Sequence, residues 1–230
     1  MNFACMNGDL DKIKDLYQRN SCSWNEWACS FAAKNGHLDC LVYLHEHGCP
    51  WNKEACANAA KNGHLDCLVY LHEHGCPWNE WACTNAANGH LGCLKYLHDN
   101  GCPWNEMAYI YATRGHLECL IYLHENGCPW DAAVCTSAAE GHLDCLIYLH
   151  KNGCPWNANA YAFAAEGYLD CLKYLHDNGC PWDEMACLYA AEGHFKCLVY
   201  LRENGCPWDK LDCVHMAANH PECLVYINDH

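Results

Sequence analysis

The residues best suited to chemistry are cysteine and histidine: the chain has 23 of the first and 17 of the second among 230 residues. They recur at fixed spacings. Four stretches offer complete sets of three cysteines and one histidine: Cys40, His45, Cys49 and Cys56; Cys67, His72, Cys76 and Cys83; Cys119, His124, Cys128 and Cys135; and Cys171, His176, Cys180 and Cys187. Three thiolates and one imidazole make a recognised tetrahedral zinc composition. The chain's own variation weakens that reading. Tyr109 and Tyr161 stand at the fourth position of two repeats, and Arg202 replaces the histidine of another. Arginine cannot act as a neutral ligand. On a helix, Cys67 and His72 project about 140° apart, whereas His72, Cys76 and Cys83 converge more easily and leave a site one ligand short. The competing reading is that these cysteines are small buried hydrophobes, a common role for the free thiol. That reading is the expectation here. Structural zinc on His45, Cys49, Cys56, His72, Cys76, Cys83, His124, Cys128, Cys135, His176, Cys180 and Cys187, in an array that assembles end to end, is the alternative.

No Gly-rich phosphate loop, nucleophile elbow or non-repeating carboxylate pair is present, so neither an enzyme nor a cofactor is expected.

These residues are positioned by a repeat. Gly-Cys-Pro-Trp followed by Asn or Asp occurs at 48–52, 75–79, 101–105, 127–131, 153–157, 179–183 and 205–209, after a degenerate copy, Ser21-Cys22-Ser23-Trp24-Asn25. A fixed period of this length is the signature of a solenoid. In residues 76–101, Asn79 is placed to cap a helix running from Glu80 to Ala87 that stops at Asn88-Gly89. Cys83, Ala86 and Ala87 share one face, small enough for a neighbouring helix to approach closely. A second helix runs from Leu91 to Asp99, with Cys93, Leu94 and Leu97 on its buried arc and Lys95 and Asp99 outward. One such pair cannot cover its own apolar faces, so neighbours must stack.

The segments Ala86-Ala87-Asn88-Gly89-His90-Leu91 and Leu97-His98-Asp99-Asn100-Gly101-Cys102 resemble the ankyrin repeat, with its Ala-Ala, Gly-His-Leu and Gly-Ala pattern. The resemblance extends over nearly the whole chain. Two departures stand out: a period shorter than the usual 33 residues, and no Thr-Pro-Leu-His tetrad. The fold expected is therefore an all-α, ankyrin-like helix-turn-helix solenoid of about eight repeats without long β-hairpin fingers. Short Cys-Pro-Trp repeats of this kind are similar to ankyrin-like arrays of large DNA viruses of amoebae. A single array over 1–230 is expected. It divides into an N-terminal cap at 1–21, repeats at 22–48, 49–75, 76–101, 102–127, 128–153, 154–179 and 180–205, and a C-terminal repeat at 206–230. The resemblance gives His37, His64, His90, His116, His142 and His194 the task of tying neighbouring turns together. The repeated tryptophans, Trp51 through Trp208, read as core staples between repeats. The last helix lacks an obvious extra cap, and two readings stand for this end: a longer natural chain, or pairing through it.

Specificity is sought where the repeats differ. Two places before the central residue of each first helix stand Trp27, Glu54, Trp81, Met107, Ala133, Asn159, Met185 and Leu211. Two places after it stand Phe31, Asn58, Asn85, Tyr111, Ser137, Phe163, Tyr189 and His215. Each pair is spaced i,i+4 and shares a face, about 160–200° from the Cys/Ala/Ala face. Aromatic and methionine clusters suit protein-binding surfaces. Ankyrin arrays bind through the concave surface lined by first helices, so the resemblance implies a protein partner there. Trp27, Phe31, Trp81, Asn85, Met107, Tyr111, Phe163, Met185 and Tyr189 are the candidate contacts, and lateral packing between helices is the competing use.

Formal net charge is −15, from 28 acidic against 13 basic residues. Such a balance argues against nucleic acid and against anionic membrane surfaces, and it favours a partner with a basic surface. Without an apolar leader or spanning segment, and with an odd number of cysteines, a reducing cytoplasm is the expected compartment (a host's, if the source is viral).

Overall fold

The computed structural model describes residues 2–19 and 24–230. The first three residues of the degenerate motif, 21–23, lie outside them. Among the described residues there are 18 α-helices, one 3-10 turn at Ala217–Asn219, and no strand. The helices form successive pairs, so the expected N-terminal cap is itself a helix pair, Asn2–Asn7 and Leu10–Gln18.

The pairs group into two compact units, one of residues 1–112 with 118–129, the other of 113–117 with 130–230. In the first unit, the first helices Asn2–Asn7, Glu26–Lys34, Lys53–Lys61, Glu80–Ala86 and Met107–Ala112 each pack on the next, forming one layer. The second helices Leu10–Gln18, Leu38–Glu46, Leu65–Glu73 and Leu91–Asp99 stack in the same way as the other layer. The second unit repeats the plan. Its first layer is Ala132–Ala138, Ala158–Ala164, Glu184–Ala191 and Lys210–Met216; its second is Leu143–Lys151, Leu169–Asp177, Phe195–Glu203 and Pro221–Asp229.

Side-chain size explains the two layers. First helices bury small residues: Ala55, Cys56, Ala59 and Ala60 are wholly inaccessible, as are Ala82, Cys83, Ala86 and Ala87. Adjacent backbones can therefore approach closely, which is why the first helices pack more tightly than the second. The second helices fill the space between layers with paired leucines, such as Leu68 with Leu71 and Leu94 with Leu97, all fully buried. Each contributes about 1.5–3 kcal/mol by leaving water.

The helix starts follow the expected capping. Asn52, Asn105, Asp131, Asn157, Asp183 and Asp209 each accept a backbone N–H two residues on, through the side-chain oxygen. Asn25 and Asn79 are exceptions and make no such bond. The chain also needs two sorts of turn glycine. Gly63 (φ +73°) ends a first helix, and a Cβ there would lie 2.5 Å from the His90 ring of the next repeat. Gly75 (φ +82°) ends a second helix and faces open space, so only its dihedral requires glycine.

Candidate functional site

The Gly-Cys-Pro-Trp-Asn junction is a scaffold joint. Its cysteine N–H closes the preceding helix, as Cys76 N–H does on the Leu71 carbonyl at 2.9 Å. Its thiol turns back and donates to the carbonyl of the previous junction's Asn or Asp: Cys76 to Asn52 at 3.3 Å, Cys102 to Asn79 at 3.3 Å, Cys154 to Asp131 at 3.5 Å. Its tryptophan lies on a histidine ring of the helix just ended. Trp51 stacks on His45, Trp78 on His72, Trp104 on His98 and Trp156 on His150, with centroids 3.9–4.0 Å apart. Nδ1 of each of these histidines then shares a hydrogen bond with a tyrosine hydroxyl of the next repeat: His45 with Tyr70, His72 with Tyr96, His98 with Tyr122, His150 with Tyr174, all at 2.9 Å. Burial holds the Tyr96 hydroxyl above its ordinary pKa, and the Glu73 carboxylate adds to that. Burial, with the neighbouring His74, holds His45 below the usual imidazole value. The tryptophans do staple repeats together, but they are half-buried rather than core. The tyrosine that completes each ladder step recurs in nearly every second helix, and that recurrence was the signal available in the sequence.

The Gly-His histidines are tied across repeats as the resemblance implied. His37 Nε2 bonds the Met6 carbonyl at 3.0 Å, and His90 Nε2 bonds the Lys61 carbonyl at 2.9 Å.

The cysteines are buried, and they pair in a way the sequence reading did not anticipate. Cys76 meets Cys56, the central cysteine of the preceding repeat, rather than Cys83 of its own. Cys56 Sγ lies 3.9 Å from the Cys76 carbonyl oxygen. The same contact of a first-helix thiol with a junction carbonyl joins Cys29 to Cys49, Cys83 to Cys102 and Cys135 to Cys154. Hydrogen bonding to the junction thiol, then burial, raises the first-helix thiol. Correspondingly, Cys49, Cys102 and Cys154 are lowered by the bond they accept. Cys128 and Cys180, which follow repeats carrying Tyr109 and Tyr161 instead, are pushed up to about 12 by burial.

The Cys3His sets therefore do not converge. His45, His72 and His176 face tyrosine hydroxyls and tryptophan rings, while Cys49, Cys56, Cys76, Cys83, Cys180 and Cys187 point into the interior. Cys128 and Cys135 are buried too. Among the described residues, no three His, Cys, Asp or Glu side chains are grouped to hold a metal ion.

The non-repeating stripe separates into two rows. Every residue of the row before the central position is exposed, including Trp27 at 48%, Trp81 at 49%, Met107 and Met185 at 38%, and Leu211 at 74%. Of the row after it, Phe31, Asn58, Asn85, Tyr111, Ser137, Phe163 and Tyr189 are half-buried. These residues pack laterally: Phe163 lies 6.3 Å from Tyr189 with nearly parallel rings, and Asn85 Nδ2 donates to the Ala57 carbonyl at 3.4 Å. Phe31 lies 6.3 Å from Trp27 on its own helix. Surface and packing thus divide one face between them.

Residues 1–80 match the family model of ankyrin repeats in three copies. No curated protein matches the chain. Among solved structures, the human ASB11 ankyrin repeat domain is similar over 66% of this chain and 84% of that one, with a TM-score of 0.58 and 22% sequence identity. At that identity the likeness is one of fold. No helix among the described residues is long and apolar enough to cross a membrane.

Proposed function

We propose that this chain of ankyrin repeats is a non-catalytic scaffold that holds a protein partner on its first-helix face, the face ankyrin arrays present as their concave surface. The observation that carries the reading is the exposed row. It is a series whose members change from repeat to repeat, include large apolar side chains, and remain in water. Trp27, Trp81, Met107 and Met185 are large side chains left 38–49% accessible beside neighbours that are tightly packed. Aromatic anchors of this kind dominate binding energy in protein interfaces. Phe31, Asn85, Tyr111, Phe163 and Tyr189 hold the row in place and border it.

The mechanism is shape plus aromatic anchoring on a pre-ordered scaffold, which limits the ordering cost of association. A net charge of −15 favours a basic partner surface and a fast, salt-sensitive encounter. The reading requires no cofactor and places the chain in the cytoplasm. It is tested by affinity capture with the whole chain as bait, comparing wild type with a Trp27→Ala, Trp81→Ala double variant. Specific loss of one protein from the double variant, with unchanged thermal stability, supports the reading. Equal capture by both sinks it.

A further inference from the structure

The variable stripe has a third row. Five places after the central residue of the first helices stand Lys34 and Lys61 early in the chain, Arg114 in the middle, then Glu140, Glu166 and Glu192. Each lies seven residues beyond the exposed row, so the three rows follow i, i+4, i+7 along one face of the first helix and its closing turn. In the second unit, Arg114 is followed by an acidic file: Glu140 and Glu192 are exposed and Glu166 is half-buried. Backbone N–H bonds set each glutamate one turn beyond the middle row: Glu140 to the Ser137 carbonyl at 3.3 Å, Glu166 to Phe163 at 3.1 Å, Glu192 to Tyr189 at 3.2 Å. Burial first, then the Glu140 carboxylate, holds the Glu166 carboxyl above its usual range; His194 opposes this and Glu192 adds to it. Like charges in file repel one another. A cationic chain laid along them turns that repulsion into attraction.

The same face offers apolar contact beside the charge. Phe163 and Tyr189 lie nearly parallel across adjacent helices, 6.3 Å apart. Packed helices stand about 8–10 Å apart, which sets the interval between successive glutamates. A polyproline II chain has three residues per turn and rises about 3.1 Å per residue, so every third side chain points the same way about 9.3 Å further on. A strand turns every third side chain to its opposite face. An α-helix repeats its face only every seven residues, about 10.5 Å on, beyond that interval. Polyproline II segments also dock on aromatic side chains through their prolines.

We propose that the first-helix face of the second unit docks an extended, proline-rich segment carrying Lys or Arg at every third residue, with its cations on Glu140, Glu166 and Glu192 and its prolines on Phe163 and Tyr189. This rests on the first-helix scaffold reading and gives the partner its chemistry. The first unit, with Lys34 and Lys61 in this row, repels the same segment.

The test is a fluorescence-anisotropy titration of the whole chain against a labelled twelve-residue peptide of four Pro-Pro-Arg triplets. A peptide of the same composition with its four arginines contiguous is the spacing control. The triplet peptide is expected to bind more tightly than the control and to weaken as salt rises. The triple variant Glu140→Lys, Glu166→Lys, Glu192→Lys weakens it at least about tenfold, since three exposed attractions become repulsions. Arg114 already holds a cation in this row, so the change suits the fold, which thermal melting checks. Glu166→Gln alone moves binding in the same direction with less perturbation. Asp177→Lys, Glu203→Lys and Asp229→Lys together add the same charge at exposed ends of second helices and leave binding unchanged. Equal binding of the two peptides, or equal loss in the two triple variants, overturns the proposal. Absence of peptide binding beside intact capture through Trp27 and Trp81 overturns this proposal alone and leaves the scaffold reading in place.

Discussion

The junction ladder and the first-helix row run along the same repeats and obey opposite rules. In the ladder, tryptophan, histidine and tyrosine recur almost unchanged, and each makes a named contact with the next repeat. In the row, residues as different as Trp81, Ala133 and Asn159 occupy equivalent places, and all of them are exposed. Repetition marks the positions that hold the scaffold together. Variation combined with exposure marks positions that folding does not constrain. Variation alone is weaker evidence, because the half-buried row from Phe31 to Tyr189 also varies and is largely used for packing.

The comparison can be broken from the scaffold side first, and there the largest effect is collective. Cys67, Cys93, Cys145, Cys171 and Cys197 are held at about 11 by burial. In the unfolded chain these thiols ionise from about pH 8.5 upward. Their folded values are raised, so their stabilisation is complete below that pH and is lost as pH climbs towards 11. Thermal midpoints measured anaerobically should fall steeply between pH 8.5 and 10.5, and a flat profile would contradict the buried thiols. Trp78→Ala, which removes a ladder ring, should cost about 3 kcal/mol in denaturant unfolding. Gly63→Ala meets both an unfavourable dihedral and the His90 ring, so about 2 kcal/mol is expected, against about 1 for Gly75→Ala, where space is open. Tyr96→Phe deletes only the hydroxyl bonded to His72 and should cost about 1 kcal/mol. The smallest effect sharpens the contrast. Trp81→Ala should change stability by less than about 0.5 kcal/mol while weakening partner capture. A loss as large as that of Trp78→Ala would move Trp81 into the packing.

Much of the fold was legible because local signals agreed. The helix Leu91–Asp99 has the limits its pattern predicted, and Cys83, Ala86 and Ala87 are buried together as their spacing required. The cysteine partners were not legible. Spacing along the chain favours Cys76 with Cys83, but the positive φ of Gly75 turns the chain so that Cys76 meets Asn52 and Cys56 behind it. Three of the histidines that the metal sets would need, His45, His72 and His176, are engaged in the ladder instead. The stripe was legible as a face. Its division into surface and packing rows was not, because residues four apart share a face yet sit at different depths relative to the neighbouring helix.

The stacking of each junction tryptophan on a histidine has an optical consequence. Indole emission responds to a ring stacked against it, so Trp51, Trp78, Trp104 and Trp156 each report on whether their own histidine contact is closed. Trp208 lies instead under the Arg202 guanidinium. Fluorescence from single-tryptophan versions of the chain would then give every helix pair its own signal, and opening of the array could be followed one step at a time without any added dye.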